Sequence, residues 1–159
     1  MTGRGSTDIK DKIFGAMMYI IPLLDAFMFG KFLFNQFPVL AIIYLPIEPL
    51  LSFYYQFPFA SFIIFLVLFF AVVRNDKISH FIRFNAMQAI LIGILLSLFG
   101  LILQTILPAL GIGLLTETLF NFAFLATLVA SFYGIVQSVL GRYAEIPTIS
   151  EAAYSQVRW

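Results

Sequence analysis

The stretch Phe37-Pro-Val-Leu-Ala-Ile-Ile-Tyr-Leu-Pro-Ile-Glu-Pro-Leu-Leu-Ser-Phe-Tyr-Tyr55 decides how this chain is laid out. It is apolar enough to enter a bilayer, yet it carries Pro38, Pro46 and Pro49, with Glu48 between the last two. Each proline removes a backbone donor and clashes with the preceding turn, so three at this spacing do not share one regular helix. Cleaner apolar runs flank it. They predict spans over about 13–34, 57–73, 84–107 and 118–140, each near the roughly 20 residues that cross a hydrocarbon core. The first contains Pro22 and Asp25 and is expected to kink. The third closes at Pro108 and the fourth at Gly141-Arg142, a glycine stop with a cation near the helix C-terminus.

Charge arbitrates the doubtful piece. If residues 35–56 do not span, four spans put Arg4, Lys10, Lys12, Arg74, Lys77, Arg83, Arg142 and Arg158 on one side and leave Lys31 on the other. A fifth span would invert everything after it, leaving three basic residues on the amino-terminal side and six opposite. Cytoplasmic loops carry the excess of Lys and Arg, which selects the first arrangement. Gln56-Phe57-Pro58 is also a poor hairpin between two full spans. The expectation is therefore an all-α polytopic membrane protein of four transmembrane helices, with a Pro-rich re-entrant or interfacial segment at about 35–56. Its parts are a polar N-terminal tail (1–12), a membrane domain (13–142) and a C-terminal tail (143–159), with both termini cytoplasmic or stromal. Broken backbone at membrane depth requires protein or water to satisfy it.

Composition agrees and excludes much else. Of 159 residues, 62% are hydrophobic and 11% charged, against about 45–50% and about 25% in soluble domains. Too few polar residues remain to clothe a soluble core. The absence of Cys rules out disulfides, thiolate metal sites and a cysteine nucleophile. A single histidine, His80, rules out a histidine metal cluster; in a basic loop it is expected to face water or headgroups. A net charge of +1 gives no field to attract nucleic acid. The first twelve residues are too short and acidic for an organelle transit peptide, and no small-residue cleavage site follows, so no removable leader is expected. Gly111 and Gly113 read as an interspan turn. No triad, phosphate loop or dinucleotide fingerprint accompanies them. The chain is read as no enzyme, with no cofactor and no metal.

The scarce polar residues inside apolar runs are the candidates. A carboxylate near the bilayer centre costs about 2.5–3.5 kcal/mol on insertion scales, so Asp25 is either a partner for Lys31 or the Pro22 kink, or a contact in a water-filled path. Glu48 marks a headgroup boundary or a partner contact. Glu117, with Asn121 one turn later, suits the positive end of a helix. The densest polar run is residues 74–88, where Asn85 and Gln88 share one helical face and Arg83 is placed to snorkel. Arg83, Asn85 and Gln88 are thus candidate contacts for a partner or an incoming chain. Small residues recur every fourth position at Ala89, Gly93 and Ser97, and again at Ala126, Ala130, Gly134 and Ser138. In lipid such stripes let helices approach closely, so the third and fourth spans are expected to pack along them.

Ile78-Ser-His-Phe-Ile-Arg-Phe-Asn-Ala-Met-Gln-Ala89 resembles the signature of the twenty-kilodalton subunit of the Tic translocon and its cyanobacterial homologues. That translocon is the protein-import machine of the chloroplast inner envelope. Ile21-Pro-Leu-Leu-Asp25 with Gly30, Phe32-Leu-Phe-Asn-Gln-Phe-Pro38, Phe69-Phe-Ala-Val-Val-Arg-Asn75 and Glu145-Ile-Pro-Thr-Ile-Ser-Glu-Ala-Ala-Tyr154 fit it too. His80 and Asp76 depart from it. The resemblance implies four spans and a component of a preprotein-conducting channel in a plastid inner envelope or cyanobacterial membrane. Other translocon subunits or further copies, a transiting polypeptide and lipid would be its partners. A non-transporting membrane scaffold or assembly factor is the alternative. A small-solute permease is a third, disfavoured because no inverted repeat is visible.

Overall fold

The computed structural model describes residues 8–157 apart from Ile112. Arg4 and Arg158, counted in the charge balance, lie outside the described residues, as does most of the N-terminal tail. The described residues are helical, with no strand among them. A first, nearly continuous rod runs from Ile9 to Gln36 through α1 (Ile9–Met17), α2 (Ile20–Ala26), a 3-10 stretch (Phe27–Gly30) and α3 (Lys31–Gln36). Asp8 caps it, its carboxylate accepting from the Asp11 N–H at 2.9 Å. The rod breaks at residues 18–19, one turn before Pro22. Proline cannot donate to the Met18 carbonyl, and the Ile21 N–H takes that oxygen instead.

The decisive stretch folds as a 3-10 helix (Pro38–Ile47) followed by α4 (Glu48–Gln56). After a turn in which Phe59 takes a positive φ of 63° come α5 (Ala60–Val67) and a π-turn (Leu68–Val73). Two long helices complete the bundle, α6 (His80–Thr105) and α8 (Gly113–Val139). Between them sits one turn, α7 (Leu107–Leu110), with Pro108 near its start and Gly111 closing it at φ 68°. A last short helix, α9 (Ile149–Gln156), returns to the bundle.

Among the described residues, four helices are long and apolar enough to cross a membrane: Ile9–Gln36, Pro38–Gln56, His80–Ala109 and Gly113–Val139. Ala60–Val73, expected as part of a full span, is shorter. Its fourteen residues reach about 21 Å at 1.5 Å per residue, short of a ~30 Å hydrocarbon core. The proline-rich stretch is helical and reaches spanning length partly because 3-10 geometry rises faster per residue.

Helix directions settle the parity of what lies between the first rod and α6. Gly15 lies against Phe81 and Asn85, Asp25 against Gly93, and Phe29 against Gly100. Residue numbers rise together along both helices, so the two run parallel. The chain leaves the rod at one end of the bundle and enters α6 at the other, making one net crossing over residues 37–79. A fifth span would have set them antiparallel. Within that crossing, Tyr44, Leu51 and Tyr54 pack with Leu23–Phe29, Leu96–Leu107 and Phe120–Leu128. Leu68, Phe69, Val72 and Val73 pack instead with Met18, Ile82, Met87 and Ile90. Pro38–Gln56 thus accompanies the half of the bundle distal to both chain ends, and Ala60–Val73 continues into the half nearest His80.

The small-residue stripes face a different neighbour from the one expected. A Cβ on Gly134 would come within 2.5 Å of the Tyr19 ring, and one on Gly93 within 2.9 Å of the Asp25 carboxylate. Both glycines accommodate the first rod, which lies between α6 and α8 over much of its length. Ala89 and Ser138 are fully buried, whereas Ser97 and Ala126 are exposed and Ala130 is half-buried. The buried face of α8 follows Ala123, Thr127, Ser131, Gly134 and Ser138. A four-residue repeat drifts about 40° per step around a helix of 3.6 residues per turn, so one nominal stripe splits between two faces.

Candidate functional site

Two groups of polar side chains lie within the apolar bundle, and they differ in kind. The first joins the His80 end of α6 to the break in the first rod, α8 and the C-terminal segment. The Tyr19 hydroxyl donates to Asn85 Oδ1 at 2.6 Å and accepts from Gln88 Nε2 at 2.8 Å. Asn85 Oδ1 also accepts from the Ser138 hydroxyl at 3.3 Å, while its amide nitrogen donates to the Phe81 carbonyl at 2.9 Å. Gln88 donates again to the Ala144 carbonyl at 3.2 Å, and its Oε1 lies 2.5 Å from the Ser150 hydroxyl. Ser150 in turn accepts from the Ile146 N–H at 2.6 Å. Tyr19, Asn85, Gln88 and Ser138 are all fully buried. Both amide side chains have their oxygens and nitrogens engaged inside the protein.

Arg83 and His80 sit beside this network, and neither reaches water as expected. Arg83 is 4% exposed; its Nε donates to the Ile78 carbonyl at 3.0 Å and its guanidinium lies 4.0 Å from the exposed Asp76 carboxylate. His80 is buried, with Nδ1 2.8 Å from the Tyr143 hydroxyl and its ring stacked near Tyr154. The reason is the return of residues 143–157 across the start of α6, where Tyr143 and Tyr154 also bracket Phe84. Glu48 is exposed and accepts from the Ser52 hydroxyl one turn on, at 2.7 Å. Glu117 is half-buried and accepts from Gln36 Nε2 at 3.1 Å, which ties α8 to the end of the first rod.

The second group surrounds Asp25 near the middle of the rod. The Tyr54 hydroxyl donates to Asp25 Oδ1, and Oδ2 points at the bare Cα of Gly93. Lys31 does not pair with Asp25: its ammonium lies 5.1 Å and 5.0 Å from the centroids of the Phe32 and Phe120 rings. The kink is served by tyrosines instead. The Phe27 N–H turns to the Leu24 carbonyl, and the Leu23 carbonyl receives the Tyr44 hydroxyl at 2.8 Å. Tyr55 donates to the Leu24 carbonyl at 2.5 Å. Asp25 lines a cleft of about 300 Å³ between the rod, α5 and α6, with Tyr54, Ser61, Gly93 and Ser97. A second cleft of about 310 Å³ shares Asp25, Tyr54, Ser61 and Ser97 and extends to Gly100 and Gln104. Phe62, Ile94 and Leu98, all exposed, line the outer part of the first.

Of the five candidate contacts, Asn85, Gln88 and Arg83 are therefore drawn together but buried, Glu48 is remote and exposed, and Asp25 lies on a cavity. Tyr19, Tyr54, Tyr143, Ser61 and Ser150 were not singled out from sequence. Isolated hydroxyls in apolar runs are common, and the pairs Tyr54–Asp25, Tyr143–His80, Tyr19–Gln88 and Ser150–Gln88 join residues 29 to 69 positions apart. Among the described residues no cluster of metal-ligating side chains occurs.

Residues 11–153 match the family described as the Chloroplast import apparatus Tic20-like family. The chain is 73% identical to a Tic20 family protein of Synechocystis sp. (strain ATCC 27184 / PCC 6803 / Kazusa), over the full length of both. It is 36% identical to Protein TIC 20-v, chloroplastic, of Arabidopsis thaliana, covering 98% of this chain and 75% of that one. Against Protein TIC 20-II, chloroplastic, of the same plant the identity is 33%, over 95% of this chain and 74% of the relative. With its apolar helices and this match, the chain is an integral membrane protein that belongs to the Tic20 family.

Proposed function

We propose that this protein is a membrane subunit of a polypeptide translocon and supplies part of the wall of the path taken by a transiting chain. The observation that carries the reading is the Asp25 cleft: an intramembrane carboxylate, three hydroxyl-bearing side chains and a glycine meet at mid-depth and open sideways. An ionisable group inside a span that faces a cavity is, by default, a candidate for a substrate or ion path. The cleft is too small for a polypeptide to thread, so other subunits or further copies of this chain complete the conduit. The membrane is a plastid inner envelope or a cyanobacterial membrane. Both ends of the bundle's chain then face the stroma or cytoplasm, where the basic residues collect. The role is not enzymatic.

A second reading, a scaffold that assembles a translocon without touching its cargo, is favoured by the saturation of Asn85 and Gln88. Photocrosslinking in living membranes separates the two. A photoreactive residue at Ser61 or Ser97 is expected to label a transiting polypeptide, while one at the outward-facing Val136 labels lipid. Labelling of lipid or fixed subunits alone from all three positions would favour the scaffold.

A further inference from the structure

We propose that the mid-depth cleft receives one cationic side chain, a lysine or arginine, from a membrane-embedded helix of another polypeptide. The proposal deepens the reading above, and it rests on that reading in taking the cleft to face polypeptide. Three features of the cleft point to this occupant.

The charge comes first. Asp25 has one hydroxyl donor, from Tyr54, and no cation of the described residues pairs with it. Lys31, one and a half turns on, has its ammonium over two rings. A carboxylate so placed is complemented by a positive group from outside the chain. The second feature is the hydrogen-bonding character of the lining, of which Ser61 and Ser97 are themselves exposed. Carboxylate and hydroxyl oxygens at Asp25, Tyr54, Ser61 and Ser97 are acceptors, and an ammonium brings three donors with no acceptor of its own. The third is the mouth. Phe62, Ile94 and Leu98 give apolar walls suited to the methylene stem of a long cationic side chain whose charged head reaches in to Asp25. A proton alone would not need a volume of about 300 Å³.

Gly93 fits the same design. A Cβ there would lie 2.9 Å from Asp25 Oδ2 and push the carboxylate out of its place on the cleft floor.

The test uses the purified full chain in lipid vesicles, labelled with a donor dye. Acceptor-labelled leucine-rich transmembrane helices are added that differ at one central position, lysine or leucine. The lysine helix is expected to associate at least tenfold more tightly than the leucine helix, and Asp25→Asn, which is nearly isosteric, to remove that preference. Equal association of the two helices, or a lysine preference that survives Asp25→Asn, would overturn the proposal. A second measurement guards against misfolding of the variant. In the unmodified protein the lysine helix should protect Asp25 from dicyclohexylcarbodiimide by tenfold or more. Labelling of Asp25 with no protection would mean that the cleft holds a proton, and would equally overturn it. No lysine preference in the unmodified protein, with its crosslinks from Ser97 to a transiting chain intact, would sink this proposal alone. Absence of those crosslinks in the unmodified protein would sink the translocon reading.

Discussion

The polar network at the His80 end of the bundle and the Asp25 cleft both set tyrosine and serine hydroxyls around a larger polar side chain, amides in one and a carboxylate in the other. Yet they sit in opposite states. At the network, one tyrosine, two amides and two serines exhaust one another's hydrogen-bonding capacity and exclude solvent. At the cleft, a carboxylate and its hydroxyl neighbours line open volume. Polar groups in lipid have no water to fall back on, so a saturated set acts as a clasp between helices. A set that lines a cavity keeps capacity for something outside the chain. Saturation distinguishes the two.

The comparison can be broken most forcefully at Gly134. Leucine there would drive its Cβ into the Tyr19 ring and part α8 from the rod that donates to Asn85. The overpacking cost is about 1–3 kcal/mol, and loss of the Tyr19 bonds adds about 1–2 kcal/mol. We expect a strongly reduced yield of folded protein in detergent and a large fall in unfolding temperature. An unchanged melting curve would show that the contact is not tight.

Next in size is Gln88→Ala. It strips partners from Tyr19, from Ser150 and from the Ala144 carbonyl, and leaving buried polar groups unmade costs about 1–3 kcal/mol each way of counting. Interhelical hydrogen bonds in membranes average only about 0.6 kcal/mol, so a total near 2 kcal/mol is expected. Its signature is release of α9, read as faster proteolysis between residues 143 and 157. Tyr19→Phe keeps the ring against Gly134 and loses only the hydroxyl. It should cost about 1 kcal/mol in the same unfolding assay.

Asp25→Asn is expected to have the smallest effect on stability. The amide oxygen can still accept from Tyr54, and removing an intramembrane charge offsets any weakening of that bond. The unfolding temperature should hold or rise slightly, while crosslinking from the cleft falls. A marked loss of stability would move Asp25 into the structural class.

Much of the fold is legible in sequence because lipid imposes simple rules. Apolar runs, prolines and the one-sided basic residues point to an even number of crossings, and the parallel setting of the first rod and α6 reflects the same parity. The detail of residues 37–73 is less legible. Three prolines forbid one regular helix, but they do not say that 3-10 geometry will lengthen Pro38–Gln56, or that tyrosines 44 and 55 will take up the carbonyls of Leu23 and Leu24. Arg83 and His80 read as interfacial because nothing local announces that residues 143–157 fold back over them. The small stripes carry no label for their partner, and Gly134 and Gly93 meet the first rod. Asn85 and Gln88 stand out in sequence for being polar. Their partners, one a tyrosine at the break in the first rod and another a serine beyond α8, do not.

The central distinction reduces to photocrosslinking from Ser97 to a transiting polypeptide, scored per folded molecule, in the Gln88→Ala and Asp25→Asn backgrounds. Gln88→Ala should leave the yield per folded molecule unchanged although fewer molecules fold, and Asp25→Asn should reduce it several-fold although folding is intact. The reverse pattern, with yield lost in Gln88→Ala and kept in Asp25→Asn, would place function in the network and reduce the cleft to architecture.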